Sequence, residues 1–425
     1  METLFNLYYE CTGVSTDTRT VLSGNLFVCL KGEHYDANDY IHKAIEGGAK
    51  HVISSFKEKC NGKNIHYVED TLRFLQKLAN HHRNKFEIPV IGITGSNGKT
   101  TTKELIYAVL SQEKNTLATH GNLNNHIGVP LTLLKLNASH EIAIIEMGAN
   151  KPGDIAELCE IANPTHGIIT NIGKAHLEGF GNFEGVLSTK TALYRSIRDV
   201  NGTLFYNSED IHLCSNLPQN TTNIGYSTKP NASVQGQIIT ASPCIEMSYS
   251  IGTFESGMIR THLFGDYNFF NFLAAISIGN YFGISHAAIR KGIETYVPSN
   301  NRSQIEKTDR NTLIVDCYNA NPSSMISALN SFSKVETLDK IVILGDMLEL
   351  GADAFAEHQG ILSLCNSLNL EYITVGALFS GAGSLNGYET VQELISSQKP
   401  NSFEGKTILL KGSRGIGLEQ LLTFL

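Results

Sequence analysis

The sequence predicts an α/β protein of three domains: an N-terminal unit, a central P-loop-type parallel sheet with a β-rich excursion, and a C-terminal Rossmann-like doubly wound domain. Three observations lead there. The 425 residues exceed what one core organises and suit about two to four domains. An apolar run at 88–93 passes through Gly95 and Gly98 into an amphipathic stretch carrying Leu105, Ile106, Val109 and Leu110, which reads as a strand feeding a helix. Short apolar runs at 313–315, 341–344, 372–375 and 408–410 each precede a glycine turn or a helical pattern, as in a parallel sheet with its ligands at the carboxyl ends of the strands.

The first block, 1–87, alternates short strands and helices at 26–30, 41–47, 51–53 and 71–85. Pro89 opens the second, 88–298, which adds an apolar strand at 142–145 ending in Glu146 and another at 167–170. Threonine, serine and alternating apolar residues between 202 and 261 mark the β-rich excursion, and an alanine-rich apolar helix follows at 268–282. The pattern resets near 297–300, so 299–425 forms the last block. The chain carries no internal repeat, heptad array or low-complexity segment.

Composition narrows the class. With 41% hydrophobic and 17% charged residues the chain is that of a soluble globular protein. A net charge of -8 argues against nucleic acid or an anionic membrane as the main partner. The eight cysteines form no C-x-x-C pair and read as reduced core residues. No basic segment precedes an apolar one at the N-terminus and no apolar run reaches about 18 residues, so no membrane span is predicted and the cytoplasm is expected.

The segment 90–101 is a phosphate cradle. Gly95 and Gly98 let the backbone approach an anion, the N–H groups opening the helix point at it, and Lys99 and Thr100 supply a cation and a metal-ligating hydroxyl. The expected ligand is a nucleoside triphosphate with magnesium. The loop departs from G-x-x-x-x-G-K-S/T, because Ile93 stands where glycine is required; it is the shorter T-G-x-x-G-K-T-T.

Glu146, at a strand end in the same block, suits magnesium beside the triphosphate, against the alternative of a solvated strand-end acid. His176 follows the carboxyl end of a neighbouring strand and is either a ligand or a loop residue. Lys190 by itself reads as a solvated charge on a helix face. The run 121–130 holds Asn122, Asn124 and Asn125, residues that form turns but also suit a loop hydrogen-bonding a sugar or peptide. Asp316 ends a strand of the last block and could hold a ribose. The glycines of 411–417 do not fit G-x-G-x-x-G, whereas Lys411 and Arg414 suit a phosphate or carboxylate.

Taken together, these motifs resemble the Mur ligase family, ATP-dependent enzymes that form amide bonds in peptidoglycan precursor synthesis, over essentially the whole chain. The short phosphate loop is that family's form, shared with folylpolyglutamate synthetases. Segments 121–130, 316–322, 344–351 and 411–414 resemble most the members that join D-alanyl-D-alanine to UDP-N-acetylmuramoyl-tripeptide.

The resemblance implies that Gly95, Ser96, Asn97, Gly98, Lys99, Thr100 and Thr101 hold ATP, and that Thr100, Glu146, His176 and Lys190 serve Mg2+, with Lys190 carbamylated. It implies that Asn268 and Asn271 contact adenine, that Arg302 and Asp316 reach phosphate and ribose, and that Ser15, Asp17 and Arg19 bind the uridine nucleotide. Asn122, Asn124, Asn125, Tyr318, Asn319, Asn321, Lys411, Ser413 and Arg414 would meet the substrates, and Lys99, Lys190, His176 and Arg302 would carry the catalysis. Two positions depart from the family pattern: Tyr267 stands where many members have histidine, and Asn301 where glycine is usual. The expected reaction passes through an acyl phosphate in a monomer. Its rivals are a ligase adding a single amino acid and a P-loop ATPase or nucleotide-sensing module.

Overall fold

The computed structural model describes residues 2–337, 339–397 and 403–425, which build three sheets. The N-terminal sheet is parallel, in the order Val14–Ser15, Leu26–Val28, His51–Ser54 and Ile65–Tyr67. The helix Thr71–Arg83 closes this unit; the Asp70 side chain caps it by accepting from Arg73 N at 2.9 Å. Its apolar face, Phe74, Leu75, Leu78 and Ala79, lies in one continuous core with Val129, Leu133 and Leu158 of the next unit. Arg83 is buried across that seam and donates to the carbonyls of Ala162 and Asn163, each at 3.2 Å.

The central sheet has ten strands. Val90–Thr94 runs between Ile142–Glu146 and His166–Ile169, all parallel. Both Val90–Thr94 and Ile142–Glu146 are buried at every residue, which is why each reads as an unbroken apolar run: helices cover both faces. Successive residues serve opposite sides, Val90 facing one core and Ile91 and Ile93 the other, where Lys99–Leu110 and Phe269–Tyr281 pack. The excursion is no separate body. Thr203–Asn207 pairs parallel to His166–Ile169, and the sheet turns antiparallel only beyond Val234–Thr240, so 202–261 extends the same sheet and makes it mixed.

The C-terminal sheet has six strands, in the order Gln304–Lys307, Thr312–Asp316, Thr407–Lys411, Lys340–Gly345, Glu371–Val375 and Gly387–Tyr388. All pair parallel except the edge strand Gln304–Lys307. Pro322–Ser333 begins with proline and a capping box in which Asn321 and Ser324 satisfy each other's backbone donors. The eight thiols are free, but only Cys29, Cys159, Cys317 and Cys365 are buried; Cys11, Cys60, Cys214 and Cys244 are partly exposed, unlike the core positions expected of them. Among the described residues no helix is long and apolar enough to cross a membrane.

Candidate functional site

A cleft of about 770 Å³ opens between the central and C-terminal sheets, floored by the phosphate loop. The loop's shape depends on its glycines. A Cβ on Gly95 would meet Thr170 Oγ1 at 1.9 Å, and Gly98 adopts φ +75° immediately before the helix Lys99–Leu110. Neighbouring residues pin the turn: Ser96 N donates to Asn171 O at 2.9 Å and Asn97 N to Asn171 Oδ1 at 3.0 Å. Lys99 folds back and donates to Gly95 O at 2.7 Å and Ser96 O at 3.3 Å. Burial lowers its pKa to about 8, opposed by Glu146 and reinforced by Arg302.

Glu146 is 1% exposed at the end of its strand. Its Oε1 accepts from Thr100 Oγ1 at 3.1 Å and from Asn124 Nδ2 at 2.8 Å. Its Oε2 is buried without a hydrogen-bond partner, and Lys103 Nζ stands 4.0 Å away. An orphaned carboxylate oxygen beside a threonine hydroxyl on a phosphate loop fits a hard cation such as magnesium. No cluster of three or more His, Cys, Asp or Glu among the described residues could hold a metal, so an ion here would share its coordination with phosphate and water.

Lys190 does not line the cleft, yet it is far from solvent. It ends the helix Phe183–Lys190 at 1% exposure, against the reading of its residue pattern alone as a solvated charge. Its side-chain nitrogen lies 5.8 Å from the Phe180 ring centroid and has no hydrogen-bond or carboxylate partner among the described residues. Burial, helped by Lys99, pushes its pKa well below the usual lysine value. His176 does line the cleft, but its Nδ1 is committed to the Glu349 carboxylate of the C-terminal domain, so a metal role falls to Nε2 or requires Glu349 to let go. His176 holds the Glu349 carboxyl below the usual carboxylate range.

The opposite wall is C-terminal. Asn301 adopts φ +53°, the left-handed conformation that asparagine tolerates best after glycine, so the chain turns here without the family's usual glycine. Arg302 then stacks 3.7 Å over the Tyr318 ring, with a buried and unpartnered Nε. Asp316 accepts from Lys411 Nζ at 2.9 Å and from Ser303 N at 3.2 Å. Lys411, 2% exposed, lines the cleft and is paired with Asp316 there. Ser413 is withdrawn: buried, it accepts from Leu348 N at 3.0 Å and does not line the cleft. Arg414 lies outside the lining as well, its guanidinium 5.7 Å from the Tyr318 ring.

Asn268 spends both amide hydrogens, on Phe264 O at 2.8 Å and Ser303 Oγ at 3.0 Å, while Asn271 donates to Asn268 Oδ1 at 2.8 Å and accepts from Thr102 at 3.1 Å. The pair thus ties the phosphate-loop helix to the C-terminal domain and leaves one Asn271 N–H for a ligand. Tyr267 is held in the same knot, its hydroxyl 2.9 Å from Ser303 Oγ.

Profiles of the Mur ligase middle domain and of the Mur ligase glutamate ligase domain match residues 93–279 and 301–414. The UDP-N-acetylmuramoyl-tripeptide–D-alanyl-D-alanine ligase of Bacillus subtilis is 34% identical over 439 residues, covering 99% of this chain and 95% of that protein. The chain belongs to the Mur ligase family. The Escherichia coli ligase of the same name is 32% identical, covering 96% of this chain and 92% of its own. A crystal structure of MurF from Acinetobacter baumannii is similar end to end, with a TM-score of 0.87 at 27% identity and coverage of 100% and 98%.

In this Mur ligase the cleft gathers Ser96, Asn97, Gly98, Lys99, Thr100 and Thr101 with Asn122, Asn124, Asn125, Glu146 and His176 on one side, and Arg302, Asp316, Tyr318, Asn319 and Asn321 on the other. Ser15, Asp17 and Arg19 stand apart from it, at the end of the first strand of the N-terminal sheet and in the turn after it, where Arg19 pairs with Asp17 at 2.5 Å. Sequence reasoning missed Asn150, Asp154, Ser323 and Glu349, all of which line the cleft of the Mur ligase. For Glu349 and Asp154 the sequence offered only acids in loops or at helix starts, the commonest solvated positions.

Proposed function

We propose that this Mur ligase joins D-alanyl-D-alanine to UDP-N-acetylmuramoyl-tripeptide, consuming ATP and giving the UDP-muramoyl-pentapeptide precursor of peptidoglycan, ADP and phosphate. End-to-end likeness to curated ligases of that name carries the reading, and the cleft supplies the chemistry. The tripeptide's terminal carboxylate attacks the γ-phosphorus and ADP leaves, forming an acyl phosphate. The dipeptide amine attacks that carbonyl, phosphate departs, and an amide remains. Bringing a carboxylate to a triphosphate is a problem of like charges; Lys99 and Arg302 face the cleft from opposite walls and offset it.

Thr100 and Glu146 would hold magnesium, which when bound neutralises and aligns the phosphate oxygens. Asn268 and Asn271 border the adenine site, Asp316 the ribose, and Ser15, Asp17 and Arg19 the uridine nucleotide on unit 1–87. Lys190 is suited to carbamylation: a buried amine with a lowered pKa spends more time neutral, and the neutral amine adds carbon dioxide and releases a proton. The product is an anion where a cation stood, near enough to the phosphate loop that Lys99 already acts on it. The incoming amine needs little help, since an α-amino group titrates near about 7.7–8.0. One chain builds both walls, so a monomer suffices, and the nucleotide substrates fit the cytoplasm.

The test is ADP formation across paired substrates. Both the muramoyl tripeptide and D-alanyl-D-alanine must be present for turnover. Phosphate release with neither would point to an ATPase, and turnover with a single amino acid in place of the dipeptide would point to the other ligase class.

A further inference from the structure

The asparagine-loop side of the cleft has a charged group that the reaction above does not use. Asp154 lines the cleft at the start of the helix Asp154–Ala162 and is 5% exposed. Its Oδ2 accepts the backbone N–H groups of Asn150 at 2.8 Å and Lys151 at 3.0 Å. Its Oδ1 is buried and accepts nothing. The nearest cationic group is His126, whose Nε2 stands 3.8 Å from Asp154 Oδ1 but 2.8 Å from Glu157 Oε2. One imidazole N–H cannot serve both carboxylates, and Glu157 is the nearer. Asp154 is thus a buried carboxyl group at a helix start with one oxygen that lacks a donor, and leaving such an oxygen unpaired is costly.

The position of this oxygen relative to the reacting end suggests which donor. Asn124 links the two: its side chain donates to Glu146 Oε1 at 2.8 Å, and its carbonyl accepts from Gly148 N at 2.7 Å at the start of the segment leading to Asp154. A peptide whose terminal carboxylate meets the triphosphate beside Thr100 and Glu146 would have its last side chain within the same cleft wall that Asp154 lines. We infer that Asp154 is a specificity-determining residue that receives a side-chain ammonium on the third residue of the muramoyl peptide, an inference that rests on the ligase reading above.

The full-length protein is assayed for ADP release with D-alanyl-D-alanine and UDP-muramoyl tripeptides ending in lysine, Nε-acetyl-lysine or norleucine. The wild type is expected to favour the lysine substrate by about tenfold in kcat/KM, the scale set by leaving a site's buried polar group unpaired. Asp154→Asn keeps an acceptor for the two backbone N–H groups and removes the charge. It is expected to erase that preference through a higher KM for the lysine substrate alone, while Asp154→Glu retains part of it. Calorimetric binding of the lysine tripeptide nucleotide, without ATP, should weaken in parallel in Asp154→Asn. An equal loss on all three substrates, a retained preference, or unchanged binding overturns the assignment. If the wild type releases no ADP with any tripeptide, the ligase reading itself falls, and the assignment with it.

Discussion

Asn321 Nδ2 donates to Asn97 Oδ1 at 2.7 Å, a hydrogen bond that crosses from the cap of a C-terminal helix to the crown of the phosphate loop. Asn97 answers by donating to Ser323 Oγ at 2.9 Å. Lys174 and Glu357 add an ion pair at 2.9 Å, and His176 meets Glu349 nearby. The side chain of Asn97 is therefore already engaged by the C-terminal domain, while the N–H groups that open the helix at Lys99 and Thr100 have no acceptor among the described residues.

Asn97→Ala removes both side-chain bonds to the C-terminal domain without touching the helix cap. The nucleotide-free protein should open, with a larger radius of gyration by small-angle scattering. Adding nucleotide should restore the compact value. An unchanged radius would show that these bonds do not hold the domains together.

Glu146→Gln keeps the size of the side chain and removes its charge. Rate should fall by about a hundredfold or more, and the magnesium concentration needed for half-maximal rate should rise. If magnesium titrates as in the wild type, Glu146 is not at the metal.

Lys190→Ala should abolish ADP formation. Added bicarbonate cannot repair a missing amine, whereas a short carboxylic acid should return part of the rate by filling the space with an anion. Full activity in the variant would remove the carbamate from the mechanism.

The same lysine costs stability. Its folded pKa is depressed, so between that value and its unfolded value near 10.5 the unfolded chain binds more protons and stability rises with pH; below the window both states are protonated and the cost is fully present. Lys190→Met should therefore be more stable than the wild type by on the order of 1 kcal/mol at about pH 7, with the gap narrowing by about pH 9.5. Urea unfolding in carbon-dioxide-depleted buffer reads it. Cys29, Cys159, Cys317 and Cys365, whose thiols burial pushes up to about 12, act in the opposite direction but cancel in the difference. A gap that widens with pH contradicts the assignment.

Asn301→Gly should be neutral and Asn301→Ala should cost about 1 kcal/mol, because φ +53° suits glycine and asparagine but not alanine. Thermal melting of the two variants decides it. Equal melting temperatures would mean the turn relaxes.

The sequence was most legible where chemistry is local. The phosphate loop, its feeding strand and Glu146 all announce themselves within a few residues, since strand, glycine turn and helix follow one another directly. Lys190 was not legible from its own segment, because nothing in 183–190 tells that the neighbouring chain folds over its end and leaves it 1% exposed. Lys411 looked free for an anion because its partner Asp316 lies 95 residues away. The 202–261 segment read as a β-rich excursion within the second block, but its place in the sheet was not legible: the pairing with His166–Ile169 is a long-range register that alternation alone does not encode.

The seam at Arg83 sets how many ways the molecule can move. The first sheet shares a broad apolar core with the second and is riveted to it, whereas the third, among the described residues, shares with it only Phe264 and Tyr267 as core residues and otherwise meets the phosphate loop through hydrogen bonds and ion pairs. Of the two seams, the one between the second and third sheets is the more polar and is the place where a joint is expected. Under the function proposed above, a substrate reaching from residues 15–19 to the phosphate loop would lie along a ruler whose length the shared core fixes.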